Sequence, residues 1–376
     1  MDPHASKESP SPKGAGAPSR PSLRKPECSC YQGMCPEGMQ SQVGWAGGIS
    51  VAFACNRQLQ KPANLNVCAQ RSFDAEADSL DETHQGRPTI GFLELGSPIE
   101  GALAKFSDTL DYAKQIEAHG FEKIWLTEHQ APDDCWSSPQ LPMALIARET
   151  RTLGVGTAGV LLKAHNPLRV ASDFCFLEHN FRGRIDLGIA RGTPTASGNR
   201  TLLVDDWTDA GLDAKIRLLV GLLSSNAAEM PPMTYVLPLP VLSPRIWLLG
   251  SGTSGISLGL AKQLAVKYIH SLFFQSSSPV PQDKILSAIA VAGFCGESKA
   301  EIEAFKDLYS GPFTPSVVDS SDECAQFLID VAAKHDLNEV IFLDLHPELS
   351  GRLRNVAALA ESFRRLAEMP AVGKAP

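Results

Sequence analysis

No apolar run in this chain reaches the roughly 18 residues that a membrane-spanning helix needs. The longest stretch of signal type, Gly44 to Cys55, is short, glycine-rich and about 45 residues from the start. Basic runs are missing as well: 34 Lys and Arg face 42 Asp and Glu, giving a formal charge of -8 and a pI of about 5.6. That balance offers no track along a phosphate backbone and argues against nucleic acid as a partner. The expectation is a soluble, cytoplasmic protein. An even set of cysteines is also lacking. Nine are present, five of them in the first 68 residues. Cys28, Cys30 and Cys35 make a C-x-C-x4-C cluster, half of a zinc site at most, and Cys55 and Cys68 are too irregularly spaced to complete it. Free thiols are the expected state, and no metal.

One further absence decides a motif. Arg245-Ile-Trp-Leu-Leu-Gly-Ser-Gly-Thr-Ser-Gly255 reads as an apolar strand, a glycine turn and a helix start. Exposed amides and the helix dipole at such a turn suit a phosphate. Gly250, Gly252 and Gly255 match the G-x-G-x-x-G spacing of a dinucleotide fold, but that fold requires an acidic residue about 20 positions on. From Tyr268 to Gln282 there is no Asp or Glu. A mononucleotide phosphate, such as that of FMN, is the better fit, with Ser251, Thr253 and Ser254 adding hydroxyls to the amides of the turn.

What is present divides into two parts. Residues 1–86 are rich in Pro, Ser, Gly, Lys and Gln with little hydrophobic period, the composition of a disordered leader. After Pro88, apolar β-type runs alternate with amphipathic helical stretches. Strands are predicted at Thr89–Leu95, Lys123–His129, Leu153–Leu162, Arg184–Arg191, Arg245–Leu249, Lys267–Phe273, Ile285–Gly293 and Glu339–Leu345. Most are followed by a helix. A glycine stop is expected near His119-Gly120, and a capping box at Ser320-x-x-Glu323. Eight strands in about 280 residues is the stoichiometry of an α/β (β/α)8 TIM barrel spanning 88–369, with a short tail at 370–376. A doubly wound sheet is the competitor. The crossover after the sixth strand is shortened, because Gln275 to Asp283 is Pro-broken and too short for a full helix.

Four segments in order carry a family likeness: Ile124-Trp-Leu-Thr-Glu-His129, Gly156-Thr-Ala-Gly-Val-Leu-Leu162, His165-Asn-Pro-Leu-Arg-Val-Ala-Ser-Asp173 and Phe181-Arg-Gly-Arg-Ile-Asp-Leu-Gly-Ile-Ala-Arg-Gly192. Together with the Trp247-Leu-Leu-Gly-Ser-Gly turn they resemble the bacterial luciferase-like monooxygenases over roughly residues 88 to 369. The resemblance implies a TIM barrel that binds reduced FMN at its C-terminal face, reacts it with O2 and oxygenates a small organic substrate. It places His129 at the position of the family's active-site histidine, where near-neutral titration of an imidazole suits proton transfer, and Glu128 beside it is taken with it as a catalytic candidate. It assigns Arg191 to the flavin phosphate, which a guanidinium fork can hold by charge-assisted bonds. It places Ala158-Gly159 at a non-prolyl cis peptide under the flavin ring. Where the family often continues Glu-His-His, this chain has Gln130. A separate flavin reductase would supply the cofactor, and a homodimer is compatible.

Two other readings stay open: a deazaflavin-dependent dehydrogenase on the same barrel, and a non-catalytic flavin-binding protein. Glu94, Asp344 and His346, at strand ends, are read either as lining the substrate mouth or as bonded within loops. His165 is expected in a turn that opens the third helix, and Asp173 and Glu178 on that helix's surface.

Overall fold

The computed structural model describes residues 45–46, 49–50, 88–96, 102–129, 136–192, 208–224, 243–252, 255–274 and 277–368. The chain divides into two compact units, 1–66 and 67–376. In the first, Trp45–Ala46 pairs antiparallel with Ile49–Ser50. Apart from those four residues the expected leader, and with it the tail and the cysteines at 28, 30, 35, 55 and 68, lie outside the described residues.

In the second unit eight strands form a closed, all-parallel ring: β1 (Thr89–Glu94), β2 (Lys123–Leu126), β3 (Gly154–Thr157), β4 (Ile185–Ala190), β5 (Arg245–Gly250), β6 (Lys267–Ser271), β7 (Leu286–Cys295) and β8 (Glu339–Asp344). Each pairs with its successor, and β8 returns to β1 through Val340 opposite Ile90. Two short strands extend the sheet, Val160–Leu161 beside β4 and Val317–Asp319 beside β7. Around the ring lie α1 (Ala102–Ala118), α2 (Gln140–Glu149), α3 (Pro167–Asn180), α4 (Asp209–Leu223), α5 (Ile256–Leu264), α6 (Lys299–Leu308), α7 (Ser321–His335) and α8 (Leu349–Glu368).

Local chemistry sets these boundaries. Gly120, at φ +81°, closes α1. The Asn166 side chain accepts from the Leu168 amide and Pro167 occupies the first position of α3. Ser320 Oγ accepts from the Glu323 amide at 3.4 Å to cap α7, as its spacing predicts. Among the described residues no helix joins β6 to β7, in line with the Pro-broken connection. Helix α6 was not foreseen.

The period of two along each strand separates two apolar layers. Ile124 and Leu126 face the helices, whereas Trp125 faces the barrel axis and meets Trp247 edge-on at 5.4 Å. Trp125 is admitted by its neighbours in β1 and β3. A Cβ on Gly91 would lie 2.7 Å from the indole nitrogen, and one on Gly156 2.5 Å from the ring. Ile269, Ala288, Ala290, Ala292 and Ile341 fill the rest of the interior.

Below the tryptophans, the N-terminal ends of the strands carry a closed ion network. Lys123 Nζ lies 2.6 Å from Glu339 and 3.5 Å from Asp186. Arg245 binds both Asp186 oxygens at 2.7 and 2.8 Å, and the Trp247 indole donates to Asp186 at 2.7 Å. Burial opposes the charge on Asp186, but Lys123 and Arg245 outweigh it and hold the carboxyl below its ordinary range. Lys123 likewise titrates above its ordinary value despite burial, through Asp186 and Glu339.

Glu178 corrects an expectation. It is buried rather than on the surface of α3, because its Oε1 accepts from the Gly183 amide at 2.6 Å and anchors the turn into β4. Burial pushes its carboxyl up to about 7.

Candidate active site

The C-terminal ends of the strands open onto a cavity of about 460 Å³, within the range of small-molecule and cofactor sites. Glu128, His129, Ala158, Gly159, Arg191, Gly250, Ser251 and Gly252 all line it. Thr253, Ser254 and Gln130 lie outside the described residues.

His129 follows β2 and is exposed. Its Nδ1 lies 3.3 Å from Thr127 Oγ1, whose one proton goes to the Leu95 carbonyl at 3.1 Å. Toward the ring Thr127 can therefore only accept, so Nδ1 carries the proton and the neutral ring keeps its lone pair on Nε2. Glu128 is buried; its Oε2 accepts from the Leu161 amide at 2.9 Å and its Oε1 lies 2.7 Å from His165 Nε2. His165 is thus both in the expected turn and the partner of Glu128. The carboxylate spans from β2 to the strand Val160–Leu161, just beyond Ala158 and Gly159.

The peptide bond between Ala158 and Gly159 is cis, as the resemblance implied. The Ala158 amide donates to Leu126 O at 2.8 Å. Beside it Thr157 and Gly188 exchange two bonds, Oγ1 to O at 2.9 Å and N to Oγ1 at 3.0 Å. Gly159 has no room for a side chain, since a Cβ would come within 2.8 Å of Gly188 O.

Arg191, just beyond β4, faces the glycine turn that follows β5. Its Nε donates to Ser257 Oγ in the first turn of α5 at 3.2 Å, and its Nη2 pairs with Asp213 on α4. Nη1 is buried and forms a long ion pair with Asp209 at 3.5 Å. The turn itself is tied to the β6–β7 connection, because the Ser278 amide donates to Ser251 O at 2.6 Å. His270 Nε2 lies 2.9 Å from the Ser278 carbonyl and must donate to it. Its Nδ1 is then the acceptor for Tyr268 Oη at 3.2 Å. Burial pushes the Tyr268 hydroxyl up to about 12 and lowers the His270 pKa.

The Arg191 guanidinium, the backbone amides of a glycine turn and the Ser257 hydroxyl form a donor set that fits the phosphate of a flavin mononucleotide. The rest of the cavity, with Leu249, Ile269 and Ala290 in its wall, fits an apolar ring.

Glu94, Asp344 and His346 are not among the residues lining the cavity. Glu94 is buried, accepts from the Gly96 amide at 2.8 Å and pairs with Arg352 of α8. Asp344 accepts from Asn355 Nδ2 at 2.9 Å and from the His346 amide at 2.9 Å, and burial raises its pKa. The His346 ring stacks on Phe294 at 5.5 Å. Thr127, Ser257, Tyr268 and the phenylalanines 273, 274 and 313 belong to the cavity and were missed. None stands in a spacing that marks it in sequence. Among the described residues no group of three metal-ligating side chains occurs, and no helix is long and apolar enough to cross a membrane.

Comparison with known proteins agrees with this architecture. A luciferase-like monooxygenase of Escherichia coli (strain K12) is 34% identical over 194 residues, which are 50% of this chain and 56% of that protein. The chain spans about half the length of the curated relatives it matches. Among solved structures, the oxygenating constituent of 3,6-diketocamphane monooxygenase from Pseudomonas putida, in complex with FMN, is 11% identical with a TM-score of 0.56, over 73% of this chain and 98% of that one. An F420-dependent secondary alcohol dehydrogenase is 12% identical with a TM-score of 0.55 over the same shares. These two likenesses establish the fold. The family model for luciferase-like monooxygenases matches residues 85–276, half of the chain. The chain therefore belongs to the luciferase-like monooxygenase family.

Proposed function

We propose that the protein is a flavin-dependent monooxygenase that uses reduced FMN and O2 to oxygenate a small organic substrate. The observation that carries this reading is the convergence of Arg191 and the Gly250–Gly252 turn on one cavity, into which His129 also opens. Bound reduced FMN would supply the two electrons by which one atom of O2 enters the substrate and the other leaves as water. The protein's own residues supply the remainder. Arg191, Ser257 and the turn amides hold the phosphate. His129, its Nδ1 proton directed at Thr127, takes or gives a proton at Nε2. Glu128 acts as a positioning residue, because both of its oxygens are engaged in holding His165 and the Leu161 amide. The buried apolar walls exclude water. A separate reductase supplies the reduced flavin.

Anaerobic titration of the full chain with photoreduced FMN tests this reading. Saturable binding followed by oxygen uptake on admission of air is expected, and absence of binding overturns it. The deazaflavin reading draws on the F420-dependent neighbour of the same fold. Binding preference decides between the two: saturable binding of reduced FMN over the deazaflavin supports the monooxygenase, and the reverse preference supports the dehydrogenase.

A further inference from the structure

The cavity wall is divided by chemistry. Apart from Tyr268, which bonds His270, the ionisable side chains lining it among the described residues are Glu128, His129 and Arg191, at the ends of β2 and β4. The opposite arc, from β6 through β7 and β8 to β1, is apolar apart from Tyr268 and Ser271 of β6. Phe273 and Phe274 follow β6, Phe313 lies beyond α6, and Leu93, Leu95 and Ile341 complete the arc. Phe273 meets Phe274 at 4.6 Å and Phe313 edge-on at 5.5 Å, and Phe274 lies 6.1 Å from Phe313. Aromatic pairs favour these separations and leave ring faces and edges for a further aromatic group.

This wall is built before anything binds. The Thr314 amide donates to Phe273 O at 2.8 Å and the Ser316 amide to Ala292 O at 2.7 Å, which fastens the segment carrying Phe313 onto the ends of β6 and β7. The connection after β6, without a helix among its described residues, delivers Phe273 and Phe274 to the rim instead. Phe274 remains 42% exposed, an aromatic surface of the kind a ligand covers. Among the described residues the arc itself carries no charged side chain; Arg191 stands across the cavity at the end of β4, within the donor set assigned to the phosphate. An anionic group placed against the phenylalanines would lose its hydration with no cation beside it among the described residues.

We propose that the arc of Phe273, Phe274 and Phe313 is a substrate subsite for an uncharged molecule with an aromatic body; the oxygenation of that molecule rests on the flavin reading above. The test uses two probes with one ring system: 1-naphthol, uncharged at pH 7, and naphthalene-1-sulfonate, an anion. Each is titrated calorimetrically into the full chain with FMN present, so that the anion donors at Arg191 and the glycine turn are occupied. The naphthol binds at least about tenfold more tightly than the sulfonate. Phe274→Ala, at a half-exposed position, and Phe313→Ala each weaken naphthol binding about three- to tenfold. FMN affinity changes less than about twofold in both variants, which also shows that they fold. Equal affinity for the two probes overturns the proposal, as does naphthol binding unchanged in both variants. FMN affinity is measured separately, so a protein that selects naphthol but takes no FMN refutes the flavin reading and leaves the subsite standing.

Discussion

At the N-terminal end of the barrel Lys123, Asp186, Arg245 and Glu339 close on one another, whereas at the C-terminal end Glu128, His129 and Arg191 surround a cavity. Both sets sit on short strands of the same ring, so the contrast lies in how their bonds are completed. In the lower set carboxylates and cations are matched, and each indole nitrogen also finds an oxygen. In the upper set Arg191 is paired only with Asp209 and Asp213, which keep solvent access, and it lines the cavity together with the exposed His129. Buried charge is tolerated where it is fully paired. A cation at the edge of an open cavity is a place for an anionic ligand.

The contrast is sharpened most by removing its keystone. Asp186→Ala leaves Lys123 and Arg245 in a buried site without their shared carboxylate, and a loss of about 3–5 kcal/mol in urea unfolding is expected. FMN affinity of the folded fraction stays unchanged, because the site lies at the other end of the barrel. A variant as stable as the parent would show that the network only fills space. The network also sets a pH window. Asp186, held low, contributes stability that is present above its unfolded value of about 3.9 and is lost as pH falls through the folded value. Lys123, held high, contributes stability present below about 10.4 and lost as pH climbs through its folded value.

At the upper end the matching change is Arg191→Ala. It removes the guanidinium at the cavity's edge and should weaken reduced FMN about ten- to hundredfold, the range of a charge-assisted hydrogen bond of about 1.5–3 kcal/mol. Stability changes little beside Asp186→Ala, since Asp209 and Asp213 both retain solvent access. Unchanged FMN affinity would make Arg191 a helix tie and remove the comparison's upper half.

Glu178 is a smaller test of the same rule, a buried carboxyl whose Oε2 has no hydrogen-bond partner among the described residues. With its pKa pushed up to about 7, the native state keeps a proton that the unfolded chain releases near pH 4.5. Stability therefore falls as pH rises from about 4.5 to 7, by about 2 kcal/mol once partial solvent screening is allowed for. Glu178→Gln removes that slope, and a slope unchanged in the variant assigns it to another group.

The alternation of strands and helices was legible because period and stop signals are local: Gly120, Asn166-Pro167 and Ser320 each act within a few residues. The family motifs likewise marked His129, Arg191 and the bond after Ala158. Lateral partners were illegible. Glu94 meets Arg352 across 258 positions, and Glu128 meets His165 across 37. Glu178 reads as a surface acid only while the turn at Gly183 is unknown. Phe273, Phe274 and Phe313 carry no spacing of their own, and the ring closure alone sets them side by side.

The finest division concerns Glu128, which the sequence places next to His129 as a catalytic candidate and the structure surrounds with bonds. Glutamine in its place keeps an oxygen for the Leu161 amide and an amide group to donate to His165, whose ring can adopt the complementary tautomer. A positioning role therefore predicts that Glu128→Gln retains FMN affinity and turnover within about threefold, a change below about 1 kcal/mol. Glu128→Ala, which abandons both bonds, lowers FMN affinity further, because the segment bearing Ala158 and Gly159 loses its tie to β2. Proton transfer by the carboxylate itself predicts the reverse pattern: Gln as inactive as Ala, with FMN affinity intact in both. The kcat of the Gln variant, set against its FMN affinity, separates a carboxylate that holds the wall from one that works inside it.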